Sequence, residues 1–184
     1  MNREILKLAI PNIISNLSVP LLSLVDVALM GHLGSAEYIL TIGFGVMIFN
    51  FVYWGFGFLR MGTTGFTAQE FGKKDNRECL LILGRALLIA VAGALLLIAF
   101  KTPLLKLSLL LIGTTPEVNT YVADYFNIRI LAAPATIALF AFTGWFFGMQ
   151  NARIPMIITI AVNLINIGFS YWFVRVVGMK ADGV

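Results

Sequence analysis

Cysteine and histidine are almost missing from this chain: Cys79 is the one thiol and His32 the one imidazole. A lone thiol excludes an intrachain disulfide and a thiolate metal cluster, and His32 has neither a second histidine nor a nearby carboxylate at metal-ligand spacing. No metal site is expected, and Cys79 reads as a small residue at a helix start. Charge is also scarce, with 12% of residues being Asp, Glu, Lys or Arg. A water-soluble domain needs roughly twice that share to cover its surface, so a soluble globular fold is excluded. Paired carboxylates at helical spacing and a His-Glu-x-x-His pattern are missing too, which leaves an intramembrane enzyme without catalytic groups.

Apolar side chains are abundant instead: 59% of the residues are hydrophobic, 15 are Phe, and the mean hydropathy is +0.91. Runs of roughly 20 apolar residues, the length that crosses a bilayer as a helix, recur about five times, near residues 5–30, 38–71, 80–112, 118–149 and 154–177. Pro103 falls inside the third, with the apolar stretch Leu104 to Ile112 beyond it. These runs are too long and unbroken for alternating barrel strands. The first is also too long for a signal peptide and lacks a small-residue cleavage pattern. The expected fold is all-α, a polytopic membrane bundle in a single domain.

Basic residues set its orientation. Arg3 and Lys7 precede the first segment, Lys73, Lys74, Arg77 and Arg85 crowd the second connection, and Arg153 sits in the fourth. The first connection, Gly31 to Glu37, has no Lys or Arg, and the third carries Lys101 and Lys106. The positive-inside rule then places the N-terminus in the cytoplasm of a plasma (inner) membrane protein, with His32 in a loop at the outer surface. The formal charge of +4 follows from this topology and requires no nucleic-acid partner.

Polar residues inside the apolar segments are the functional signal. Asp26 is the one charged side chain between Leu8 and Ala36, and a carboxylate in hydrocarbon is costly enough that its use is ordinarily ion, proton or substrate handling. At about 100° per residue, Asn12, Ser15 and Ser23 share its sector of the helix, with Asn16 and Ser18 at the margins. Pro11 and Pro20 interrupt the same helix and offer bends. In the second segment Asn50, Tyr53, Gly57, Arg60, Thr64 and Thr67 follow at spacings of three or four, which would place them on one face. Small and hydroxyl residues there suit interhelical packing. Arg60 requires more, either a wet cavity or a snorkelling path to the cytoplasmic interface. The fifth segment repeats the pattern with Thr159, Asn163, Asn166 and Ser170, where paired amides can bond a neighbouring helix, coordinate an ion or hold a carboxyl group. Gly144 and Gly148 form a Gly-x-x-x-Gly step, a packing signal.

Several stretches together resemble the multidrug and toxic compound extrusion (MATE) transporters, most closely their DinF-like branch. They are Pro11 followed by Asp26, Gly31-His32-Leu33-Gly34, and Phe58-Leu59-Arg60-Met61-Gly62-Thr63-Thr64-Gly65 leading to Ala68-Gln69. Gly148-Met149-Gln150-Asn151-Ala152-Arg153-Ile154-Pro155-Met156 and the pair Asn163 and Asn166 complete the set. The resemblance covers essentially the whole chain. It implies twelve helices in two six-helix lobes around a cleft that opens alternately to each side, and export of organic cations in exchange for protons or sodium ions, with no cofactor. Carried over by position, Asp26 would be the coupling acid, Asn163 and Asn166 its polar partners, and Pro11 a bend. Some relatives have an acid where Ser170 stands, which favours protons over sodium here. Tyr53 and Trp54 could add apolar or cation–π contacts to the cavity.

By that resemblance the expected partners are a small organic cation, the bilayer and a missing C-terminal lobe. The run Gly178 to Val184 looks like a loop before a sixth helix, so the sequence is expected to be a fragment. Two alternatives stay open. A lipid-linked sugar flippase of similar architecture would favour a cleft rich in Arg and Lys, for which Arg60 is the one candidate. A non-transporting structural subunit predicts that Asp26 tolerates Asn.

Overall fold

The computed structural model describes residues 2–31, 36–113, 115–173 and 176, and their regular structure is helical throughout. In chain order the helices are α1 (Asn2–Gly31), α2 (Ala36–Trp54), α3 (Gly57–Gly72), α4 (Asn76–Ala99), α5 (Lys101–Ile112), α6 (Pro116–Arg129), α7 (Ala133–Gly148) and α8 (Arg153–Trp172). A single 3₁₀ turn, Ile130–Ala132, joins α6 to α7. The Gly31 to Glu37 connection, including His32, and the Gly178 to Val184 run fall largely or wholly outside the described residues.

Among the described residues, three stretches are long and apolar enough to cross a membrane: Asn76–Ala99, Val118–Gly148 and Arg153–Trp172. Leu40–Trp54 and Gly57–Gly72 taken together, bent by 41°, are also long and apolar enough. The expected single helix over 38–71 is thus two. Gly55 and Gly57 flank the break, and glycine is the weakest helix former apart from proline. Phe56 turns there at φ −90°, and its ring lies where a side chain at Gly93 of α4 would stand.

Proline explains the other interruptions. Pro103 has no N–H and crowds the carbonyl four residues back, at Ala99, which is the last residue of α4. The expected third segment, 80–112, is therefore α4 followed by the separate α5. At 12 residues α5 reaches about 18 Å, too short to span. Pro134 acts in the same way on Ile130, where α6 gives way to the 3₁₀ turn. By contrast, α1 runs unbroken through Pro11 and Pro20.

The bent pair α2–α3 lies beside the α6–α7 stretch, α2 against α6 and α3 against α7. Their exits are built alike. At the end of α3, Lys73, Lys74 and Asp75 donate backbone N–H bonds to the carbonyls of Gln69, Phe71 and Glu70; at the end of α7, Met149, Gln150 and Asn151 do so to Trp145, Phe147 and Phe146. Lys74 and Gln150 both adopt left-handed backbone, φ 62° and 58°. Asp75 and Asn151 then cap α4 and α8 through Oδ1, Asp75 on the N–H groups of Arg77 and Glu78, Asn151 on those of Arg153 and Ile154.

Lipid gives helices little hydrophobic reason to associate, so close contact between backbones has to hold the bundle. Ala86, Ala90 and Ala94 of α4 meet Ala133, Ile137 and Ala141 of α7, with Leu59 of α3 completing the cluster. A side-chain carbon at Gly144 would come within 2.5 Å of the Arg60 carbonyl oxygen, and one at Gly148 within 2.8 Å of that of Thr64. The Gly-x-x-x-Gly step is therefore the seam between α3 and α7. Trp145 Nε1 also donates to the Cys79 carbonyl at 2.8 Å, and Cys79 itself is buried at the start of α4.

Candidate functional site

The polar stripe of α1 is shared between two neighbours. Asn12 and Asn16, one turn apart, line a groove of about 440 Å³ with Arg60, Met61, Thr64 and Gly65 of α3 and Phe147 of α7. Ser18 faces α8 instead, where Asn163 Nδ2 donates to Ser18 Oγ at 3.0 Å and Ser18 Oγ donates to the Ser15 carbonyl at 2.7 Å. One helix thus presents amides to α3 and hydroxyls to α8.

Helices α1 and α8 run parallel. Leu6, Ile10 and Ile14 share a groove with Arg153, Met156 and Ile157, and Ser18 lies further on beside Asn163, so residue numbers rise together along the pair. Roughly two turns beyond Ser18, at 1.5 Å per residue, the position of Asp26 comes level with Ser170 and Tyr171. The side chain of Asp26 lies outside the described residues, as does that of Ser23. Ser170 is buried, with 3% of its surface exposed, and its Oγ donates to Asn166 Oδ1 at 3.4 Å. Asn163 and Asn166 therefore have separate partners, Ser18 for the first and Ser170 for the second.

The second-segment stripe is divided by the break between α2 and α3. Arg60 and Thr64 enter the groove, where Thr64 Oγ1 donates to the Arg60 carbonyl at 2.8 Å. Thr67 is fully buried against Gly148, so it is packing surface. Tyr53 turns toward Phe49, ring centroids 5.5 Å apart, with its hydroxyl buried, while Asn50 and Trp54 are exposed. Thr159 and Asn163 line a narrow cleft of about 160 Å³ against Thr143 and Phe146 of α7. Pro11 is buried beside the start of α8, and Pro20 is exposed.

Arg129 is the polar residue that sequence reading passed over. It sits at the end of α6, inside the Val118–Gly148 crossing. Its guanidinium lies 5.2 Å from the Phe49 ring centroid and 5.3 Å from that of Tyr125, and Nη1 donates to the Tyr125 hydroxyl. A lone Arg within an apolar run was the available signal. The aromatic faces around it come from two helices and could not be assembled from spacing.

Long apolar helices, one bent pair, glycine and alanine seams and an open polar groove define a polytopic helical membrane bundle. The sequence matches the MatE family model over residues 11–172, and the chain belongs to that family. It is 38% identical over 176 residues to DNA damage-inducible protein F of Escherichia coli K12, covering 96% of this chain and 38% of that protein. It is 25% identical over 179 residues to a probable multidrug resistance protein NorM of Thermotoga maritima, covering 93% of this chain and 37% of that protein. A MOP superfamily transporter from Pyrococcus furiosus shares the fold with a TM-score of 0.89 at 18% identity, over 98% of this chain and 40% of that one. The outward-facing conformation of a multidrug resistance MATE family transporter gives the same TM-score and identity, over the same shares of the two chains. The chain spans about two fifths of the length of these relatives.

Proposed function

We propose that this chain forms the N-terminal lobe of a secondary transporter that exports amphipathic organic cations in exchange for protons, with Asp26 as the coupling carboxylate. The observation that supports this proposal is that the polar stripe of α1 is met by polar side chains on both sides, Arg60 and Thr64 of α3 in the open groove and Asn163 of α8 at Ser18. In this reading the Asp26 carboxyl takes up a proton from the outer side and releases it inward as the lobe changes conformation. Asn163 and Asn166 tune that exchange through their bonds to Ser18 and Ser170. A serine in place of a second acid leaves a single carboxylate at this level, which suits one proton better than a sodium ion with its several oxygen ligands. Pro11 and Pro20 let α1 bend between the two states. The N-terminus faces the cytoplasm of the inner membrane, as the basic residues dictate.

The decisive experiment joins the chain to the C-terminal lobe of the Escherichia coli relative in proteoliposomes and follows efflux of a fluorescent organic cation driven by a pH gradient. Asp26→Asn keeps the volume and removes the titration, so insertion should be unchanged and gradient-driven efflux should fall about a hundredfold or more. Efflux at the unsubstituted rate would sink the coupling role. The chain without a partner lobe should give no flux, because alternating access requires two lobes around one cleft.

Arg60 supports a second assignment. A guanidinium in the groove suits the phosphates of a lipid-linked sugar. Flipping of such a lipid by the two-lobe protein, lost in Arg60→Gln and indifferent to Asp26→Asn, would select it.

A further inference from the structure

Between α3 and α4 lies another groove, of about 410 Å³, that plays no part in the site above. Phe58, Gly62 and Phe66 form one wall and Ile89 stands on the other, while the charged residues Glu70, Glu78 and Arg85 gather at one end. The Phe58, Phe66 and Ile89 side chains are exposed in this chain. From Phe58 to Glu70 the helix rises about 18 Å, close to the roughly 15 Å of hydrocarbon in one leaflet. The groove therefore has the length of an acyl chain and a charged end at the depth of a headgroup. Gly62 gives it room, since a side-chain carbon there would meet nothing within 4 Å.

We propose that this groove holds an acyl chain of phosphatidylethanolamine, with the phosphate on Arg85 and the ammonium on Glu70 and Glu78. Charge complementarity selects this lipid. The Arg85–Glu78 pair stands at 3.8 Å, too long for a hydrogen bond, which leaves guanidinium donors for a phosphate. Glu70 is already bonded to Lys73 at 2.7 Å through one oxygen and offers the other. A primary ammonium donates hydrogen bonds to two carboxylates, a quaternary choline donates none, and an anionic headgroup meets two like charges. The groove's occupancy is independent of whether the chain transports anything.

Native mass spectrometry of the full 184-residue chain, with equimolar palmitoyl-oleoyl phosphatidylethanolamine and phosphatidylcholine in the micelle, tests the assignment. The ethanolamine lipid should be retained in about tenfold excess, the factor one charge-assisted hydrogen bond supplies. Gly62→Leu should expel the bound lipid by filling the groove. Glu78→Gln combined with Glu70→Gln, at the surface end and without demands on folding, should level the two lipids. Equal retention of both lipids by the unsubstituted chain overturns the proposal. So does displacement of phosphatidylethanolamine by phosphatidylglycerol, or a preference that survives the double glutamine substitution.

Discussion

Helices α3, α4 and α7 meet through glycine and alanine; α1 and α8 meet through serine and asparagine. In the first contact, backbones approach until a single added carbon would collide with a carbonyl oxygen, as at Gly144 and Gly148. In the second, the Asn163 to Ser18 hydrogen bond joins helices that also share an apolar groove, Leu6, Ile10 and Ile14 with Met156 and Ile157. The close seam has one geometry and makes a rigid frame. The hydroxyl and amide contact can exchange partners, including water or an ion, without opening a void. In the transport proposed above, the frame would transmit movement and the polar pair would respond.

The comparison is broken most severely at the frame. Gly148→Leu places a branched side chain against the Thr64 carbonyl at 2.8 Å and the Ala68 nitrogen at 3.0 Å, neither of which can rotate away. The expected loss is about 3 kcal/mol, read as the disappearance of monodisperse protein after extraction. Normal yield with an unchanged unfolding midpoint would mean that α3 and α7 are not a tight seam. Next comes a change that sharpens the polar side. Ser170→Asp adds an acid level with Asp26, and the two-lobe protein should then acquire sodium-dependent efflux where it had none. If efflux stays indifferent to sodium, α8 does not share the coupling site.

Asn163→Leu should have a smaller effect. It removes the bond to Ser18, worth about 0.6 kcal/mol for a typical interhelical pair, and should move the pH at which export is half-maximal while protein yield stays near normal. A lower yield at an unmoved pH midpoint would place α8 with the frame. The smallest effect on transport is expected from Trp145→Phe, which gives up the indole bond to the Cys79 carbonyl but keeps most of the ring volume. A drop of about 1 kcal/mol in thermal stability, with transport intact, would mark this bond as frame alone.

Much of the fold was legible beforehand because lipid imposes simple demands. Long apolar runs had to be helices, whereas the third was expected to continue past Pro103 to residue 112 and ends instead at Ala99. Gly144 and Gly148 were legible as a packing step, but their partner was not, since a Gly-x-x-x-Gly face is silent about which helix will lie on it. The second-segment stripe was read as a single face because a constant 100° per residue was assumed. The bend between Trp54 and Gly57 cancelled that assumption for Tyr53, which packs on Phe49 away from Arg60 and Thr64 in the groove.

By itself the sequence determined that this chain is helical, that it lives in a membrane, and that α1, α3 and α8 carry polar groups a lipid-facing helix could not keep. Those properties follow from composition and from the helical period, which act within one segment. Tertiary structure alone decided which polar groups meet: Asn12 and Asn16 with Arg60 and Thr64, Ser18 with Asn163, and Arg129 with the rings of Phe49 and Tyr125. The reason is physical. Contacts between helices depend on how closely backbones approach and where they bend, and those distances are set by the fit of one whole helix against another.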